Sequence, residues 1–287
     1  MSTQHTNGLR PRDFERVLIK LLKAPRGEDF CLNGLQLDAD VPISKVLGAV
    51  TISDAVINQA IEVGAQAIVV HHGWHWKGED ARVIGPRGGM TRKLLKAGIS
   101  LFAFHQPLDQ SPSCGNNLAL AAELGLRPLF DARGELETLC NGSVLLCEVS
   151  TTAPGRTAAQ IAGAFHQAVA ALEGASQNQT KTTLINGEKV VRKVAICTGG
   201  AQRLFHDLQR LPEHIRPDMY ITGEISLPQF YAAQESDMAF FAGGHHNTEI
   251  FGIKALVGGL NKPSVLAVGA EEPVSLTAQF FNDWCPV

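Results

Sequence analysis

Apolar positions along this chain fall into two rhythms, one of helical period and one of short continuous runs. Near the start, Phe14, Val17, Leu18, Leu21 and Leu22 keep the i, i+3, i+4, i+7, i+8 spacing of a buried helix face. Pro11 opens that helix and Pro25 lies just past its end. The next stretch, "CLNGLQLDAD", is short and turn-like around Asn33-Gly34. From Lys45 a pattern repeats. "KVLGAVTIS" predicts a strand, Asp54 caps a helix through "AVINQAIEV" that ends at Gly64, and "AQAIVV" is a second strand stopping at His71. "MTRKLLKA" predicts a helix ending at Gly98, and "ISLFAF" a strand stopping at His105. A helix from about Asn117 to Leu124 then closes at Gly125. Strands that alternate with helices and are apolar throughout imply an α/β sheet covered on both faces.

The middle of the chain reads differently. Val144 to Val149 predicts a strand, Thr157 to Leu172 an amphipathic helix, and "GASQNQ" a loop. Asn186-Gly187 between two strand-like runs predicts a hairpin. "DMYITGEIS" and "DMAFFAGG" add two strands separated by a helix near Leu227 to Glu235, and "SVLAVG" with the tail "FFNDWCPV" closes the chain. This organisation predicts two lobes. Residues 1–130 form the first, completed by a returning helix and strand within 243–287, and residues 131–242 form the second.

Composition narrows the class. The 287 residues are 45% apolar and 18% charged, as in ordinary globular proteins. A net charge of -3 argues against a strongly basic nucleic-acid binder. No apolar run reaches the ~18 residues of a membrane span, and the polar start "MSTQHTNGLRPRDFERV" lacks the apolar segment of a signal peptide. The expectation is a cytoplasmic protein. Its six cysteines, at 31, 114, 140, 147, 197 and 285, form no CxxC pair and read as reduced thiols, with Cys147 and Cys197 buried in apolar runs.

Candidate chemistry sits where strands end. "VVHHGWHWKGED" finishes an apolar run with His71 and His72, and a core strand has no use for paired imidazoles whose nitrogens need partners. Adjacent residues of a regular strand face opposite sides, so both serve one site only if the strand has ended, with Gly73 allowing the chain to turn. "FAFHQPLD" delivers His105 and Asp109 after another strand. "MAFFAGGHHNTEIFGIKAL" runs from strand through Gly-Gly into a helix where His245 and Glu249 share one face at i, i+4. His75 reads as a partner for the neighbouring indoles or a rim residue, and His246 is an alternative ligand to His245 that lacks the i, i+4 relation to Glu249. Gly199-Gly200 offers backbone N–H groups to an anion or forms a plain tight turn. His71, His72 and His245 with Asp109 and Glu249 make three imidazoles and two carboxylates, more than one closed tetrahedral site needs, so a pair of divalent cations is expected. Nitrogen and oxygen donors without thiolate suit zinc, manganese, iron or nickel. Water on such a pair loses its proton near pH ~7, which favours hydrolysis.

These stretches resemble a known family, the Nif3-like dinuclear metal-centre proteins, homologues of GTP cyclohydrolase I type 2. The resemblance rests on "NGLQ", "VVHHGWHWKGE", "FHQPLD", "GNNLAL", "CTGGA", "YITGE" and "GGHHNTE" in that order. It implies that His71, His72, Asp109, His245 and Glu249 hold two divalent cations. It also implies a two-lobed, three-layer α/β/α architecture and six chains in a hollow ring. The activity implied is hydrolytic opening of the guanine imidazole ring of GTP with release of formate, with His105 as a candidate for moving protons. Two alternatives stand beside it. One is a hydrolase of another phosphoester or a cyclic amide. The other is a non-catalytic metal-handling or scaffold ring.

Overall fold

The computed structural model describes residues 8–24, 28–149, 155–172, 181–262 and 276–283. In chain order, α1 (Pro11–Leu22), β1 (Gly34–Leu37), β2 (Lys45–Thr51), α2 (Asp54–Glu62), β3 (Ala67–His72), α3 (Gly85–Ala97), β4 (Ser100–Ala103) and the one-turn α4 (Gln106–Asp109) come first. There follow α5 (Asn116–Glu123), β5 (Leu126–Pro128), β6 (Thr138–Leu139), β7 (Val144–Val149), β8 (Arg156–Thr157) and α6 (Ala158–Ala170). The remainder is β9 (Thr183–Ile185), β10 (Val190–Val191), β11 (Lys193–Ile196), α7 (Phe205–Gln209), β12 (Met219–Thr222), α8 (Leu227–Gln234), β13 (Ala239–Ala242), α9 (His245–Leu260) and β14 (Thr277–Phe280).

Contacts divide the chain into two units. One holds the described residues up to Gly115 and those from Ile253 to Asp283; the other holds Asn116 to Gly252, so the division falls within α9. The sequence placed these divisions near 131 and 243.

In the first unit a five-stranded sheet has the order β1-β4-β3-β2-β14, parallel except where β1 meets β4. Side-chain alternation explains its two covered faces. Val46, Val69 and Phe102 pack against Phe14, Val17 and Leu18 of α1 and Ile253, Leu256 and Val257 of α9. Their neighbours Leu47, Ile68, Val70 and Leu101 pack on the other face against Val56, Ile57 and Ala60 of α2 and Leu94 of α3. This is the expected three-layer α/β/α arrangement. The second unit has a seven-stranded sheet in which β5-β7-β11-β12-β13-β9 lie side by side and β6 also pairs with β7. Phe205 and Leu208 of α7 and Ala233 of α8 cover Ala195, Tyr220 and Phe240. On the opposite side, Phe165 of α6 meets the ring of Phe241 edge-on at 5.2 Å.

Several local expectations are corrected. "NGLQL" is no turn: Gly34 opens β1, which pairs antiparallel with β4. Ser53, not Asp54, caps α2, its side chain accepting from Val56 N at 3.2 Å; Asp54 is already helical and pairs with Lys93. The Asn186-Gly187 hairpin does not form, because β9 pairs with β13 and β10 with β8. A type I′ turn needs positive φ at both central residues, and of these two only Asn186 has it, at 56°. Its Nδ2 instead donates to the carbonyls of Ala233, Ser236 and Met238 at 3.1, 2.8 and 3.1 Å. The returning strand is Thr277–Phe280, parallel to β2; "SVLAVG", "GASQNQ" and Pro25 lie outside the described residues. Cys147 is buried and Cys197 half-buried, and none of the five described cysteines forms a disulfide. Burial pushes the Cys147 thiol up to about 12, which keeps it inert. Among the described residues no helix is long and apolar enough to cross a membrane.

Because Asn186 anchors three carbonyls, Asn186→Ala should cost about 1–3 kcal/mol in denaturant unfolding. An unchanged midpoint would show that this anchor contributes nothing.

Candidate metal centre

The first unit assembles its candidate site residues at the ends of β3 and β4. The strand carries through both histidines, since His72 still pairs with Thr51 of β2, which corrects the expectation that the chain turns at His71. Gly73 does not supply a positive φ. It allows close approach, because a Cβ there would strike Gln36 and Ala103. The two rings nevertheless meet, with centroids 4.4 Å apart, and His105 stands 4.9 Å from His71 and 5.8 Å from His72. One ring nitrogen from each of these three residues lies within 4.8 Å of the others.

His71 is fully buried, and its Nδ1 lies 3.0 Å from the carbonyl of Phe104. A carbonyl only accepts, so Nδ1 carries the proton and Nε2, 3.6 Å from Asp109 Oδ1, keeps the lone pair. His72 Nδ1 is paired with Thr51 Oγ1 at 3.0 Å. Asp109 enters the group as the last residue of α4, which His105 precedes.

His105 Nδ1 lies 2.7 Å from Asp29 Oδ1. Burial pushes the Asp29 carboxyl up, but the hydrogen bonds from His105 and Asn33, the charge of His105 and the N–H of Gln106 outweigh it and hold the acid below the usual carboxylate range. Trp76 closes the group, 5.8 Å from His72 and 5.0 Å from His105. Asp29 and Trp76 also line a cavity of ≈ 350 Å³, together with His75, Lys77, Glu79 and Arg87. His75 is not among the grouped imidazoles; burial and the Arg87 charge lower its pKa.

In the second unit β13 leads through Gly243-Gly244 into α9. A Cβ on Gly243 would meet the Phe165 ring at 2.7 Å, and Gly244 takes φ 92°. The helix then sets His245 and Glu249 one turn apart, with Nε2 3.3 Å from Oε1. His245 Nδ1 lies 2.6 Å from Glu224 Oε1. Burial opposes the charged ring, but Glu249 and Glu224 override it and push the His245 pKa up to about 10. Gly199, at φ 69°, makes room for Glu249, since a Cβ would run into its carboxylate. Its N–H donates to Thr248 Oγ1 at 3.0 Å, so Gly199 serves a tight turn and not an anion.

These distances bear on whether a cation fits. Two donors of one four-coordinate cation, each about 2.0–2.1 Å from it, stand about 3.3–3.4 Å apart. The His71–Asp109 and His245–Glu249 separations of 3.6 and 3.3 Å are of that size. An imidazole whose Nδ1 is anchored to an acceptor, so that Nε2 is the nitrogen left to ligate, has the usual posture of a metal-binding histidine. Sequence reasoning missed Asp29 and Glu224. Glu224 had a usable signal, since it follows an apolar strand in "YITGE"; Asp29 follows no strand and had none.

An α/β protein with histidine and carboxylate clusters that could hold a metal ion is therefore the class defined here. The chain belongs to the Duf34/NIF3 (NGG1p interacting factor 3) family, whose model matches residues 9–272. It is 35% identical over 237 residues to a Pseudomonas aeruginosa protein named GTP cyclohydrolase 1 type 2 homolog, covering 83% of this chain and 86% of that one. A protein of the same name from Escherichia coli (strain K12) is 33% identical over 260 residues, covering 91% and 96%. A solved structure described as "Structural genomics, protein ybgI, unknown function" superposes with TM-score 0.79 at 29% identity, covering 97% of this chain and 100% of that one.

Metal-free His245 is cationic at neutral pH, so a cation binding at Nε2 must displace its proton. Apparent zinc affinity at this residue should rise about tenfold per pH unit below that pKa, with one proton released. Chelator competition in weakly buffered solution measures both, and an affinity independent of pH would rule the exchange out.

Proposed function

We propose that this chain is a hydrolase working with two divalent cations, with His71, His72, Asp109, His245 and Glu249 as their ligands. The observation that carries this reading is the shared anchoring of the imidazoles. His71 Nδ1 lies against a carbonyl and His245 Nδ1 against a carboxylate, while each Nε2 meets a carboxylate oxygen at 3.6 or 3.3 Å. Residues placed only for packing do not need that arrangement twice. Bound there, the cations would supply Lewis acidity and a nucleophile from water near neutral pH. Asp109 and Glu249 would offset their charge, and Glu224 would keep His245 in its ligating tautomer. His105 stands beside the cluster as the group to accept or return a proton.

The name shared by the two relatives supports a purine nucleotide as substrate, with water opening the guanine imidazole ring of GTP and releasing formate. The six-chain ring implied by the family resemblance belongs to the same proposal, as does a cytoplasmic location. A particle of six 30.8 kDa chains would be expected in light scattering.

Elemental analysis of the purified protein beside His245→Ala tests the core of this reading. About two metal equivalents per chain are expected, with at least one lost in the variant. One or none, even after reconstitution with zinc, manganese and iron, would remove the paired site. Formate release from GTP, run beside a panel of phosphoesters and cyclic amides, then tests the substrate. Turnover that survives His245→Ala would belong to another site.

A further inference from the structure

Of the three clustered imidazoles in the first unit, His71 is anchored to a carbonyl, His72 to a hydroxyl and His105 to a carboxylate. The carboxylate is that of Asp29, whose side chain is only 4% exposed. Each of its bonds comes from a donor. Phe30 N and Cys31 N reach Oδ1 at 2.6 and 3.3 Å, Asn33 Nδ2 and Gln106 N reach Oδ2 at 2.7 and 2.9 Å, and His105 Nδ1 completes the set. Asn33 ties the pair a second time, because its Oδ1 accepts the backbone N–H of His105 at 2.7 Å. Ring and backbone of His105 are therefore both referenced to the Asp29–Asn33 pair. An ionised carboxylate has no proton to give, so Nδ1 must be the protonated nitrogen of the neutral ring.

We propose that Asp29 is a positioning residue that fixes His105 in the tautomer with its proton on Nδ1 and its lone pair on Nε2, beside the His71 and His72 rings. In that state His105 can take a proton at Nε2 from a water or substrate O–H while the Nδ1–H stays in place. The imidazolium formed then lies against the Asp29 carboxylate, which stabilises it, and returning the Nε2 proton to a leaving group restores the start. The proton-transfer role rests on the hydrolytic reading above, whereas the tautomer does not.

Long-range proton–nitrogen correlation on nitrogen-15-labelled, zinc-loaded protein, at a pH where the ring is neutral, reads the two nitrogens of His105 directly. A protonated Nδ1 is expected in the native chain, and a proton on Nε2 would overturn the proposal without any variant. Asp29→Asn replaces the acceptor with an amide that can present N–H to the ring. It should move the proton to Nε2 or mix the two tautomers while zinc content stays at the native value. An unchanged tautomer in Asp29→Asn would also overturn the proposal. If a substrate is turned over, the same variant should lower kcat by about 10²- to 10⁴-fold with little change in KM. If none is, the hydrolytic reading fails alone, and the nitrogen spectra still decide the role of Asp29.

Discussion

The parallel register of Lys45–Thr51, Ala67–His72 and Ser100–Ala103 is the constraint on which the imidazole cluster of the first unit depends. Thr51 lies opposite His72, and Val70 opposite Ala103, so β2 and β3 finish level and β4 stops two residues short of them at the same end of the sheet. That alignment brings Thr51 Oγ1 and the Phe104 carbonyl within hydrogen-bonding reach of His72 and His71. A slip of one residue would turn each side chain to the opposite face. The two apolar layers resist such a slip, since Val69 and Phe102 pack on one side while Val70 and Leu101 pack on the other. Packing of ordinary apolar residues thus sets the position of the imidazoles.

Burying so many polar groups carries a cost that the observed partners offset. Asp29 is enclosed yet ionised, because five donors surround its oxygens. His245 stays charged despite burial, held by Glu224 and Glu249. In each unit an imidazole and a carboxylate are held a few ångströms apart at a strand end or in the helix that follows one. Arranged so, a proton or a cation can occupy the space between them, and pH sets the competition.

Much of this was legible in the sequence. The alternation of apolar strands and capped helices, the covered sheet, and the ligand-type residues at strand ends are all local patterns of period 2 or 3.6. The i, i+4 relation of His245 and Glu249 is likewise fixed by helix geometry. Tertiary structure decided the rest. Asp29 meets His105 across 76 residues of chain, and its surroundings in the sequence carry no strand or helix signal. The turn at Asn186 was visible locally, yet the strands beside it found other partners, because the Asn186 amide is taken by the carbonyls that precede β13. Local periodicity determined which residues stand at strand ends. Hydrogen bonds between distant segments, which only the folded chain can form, decided which nitrogen of each anchored imidazole is held in place.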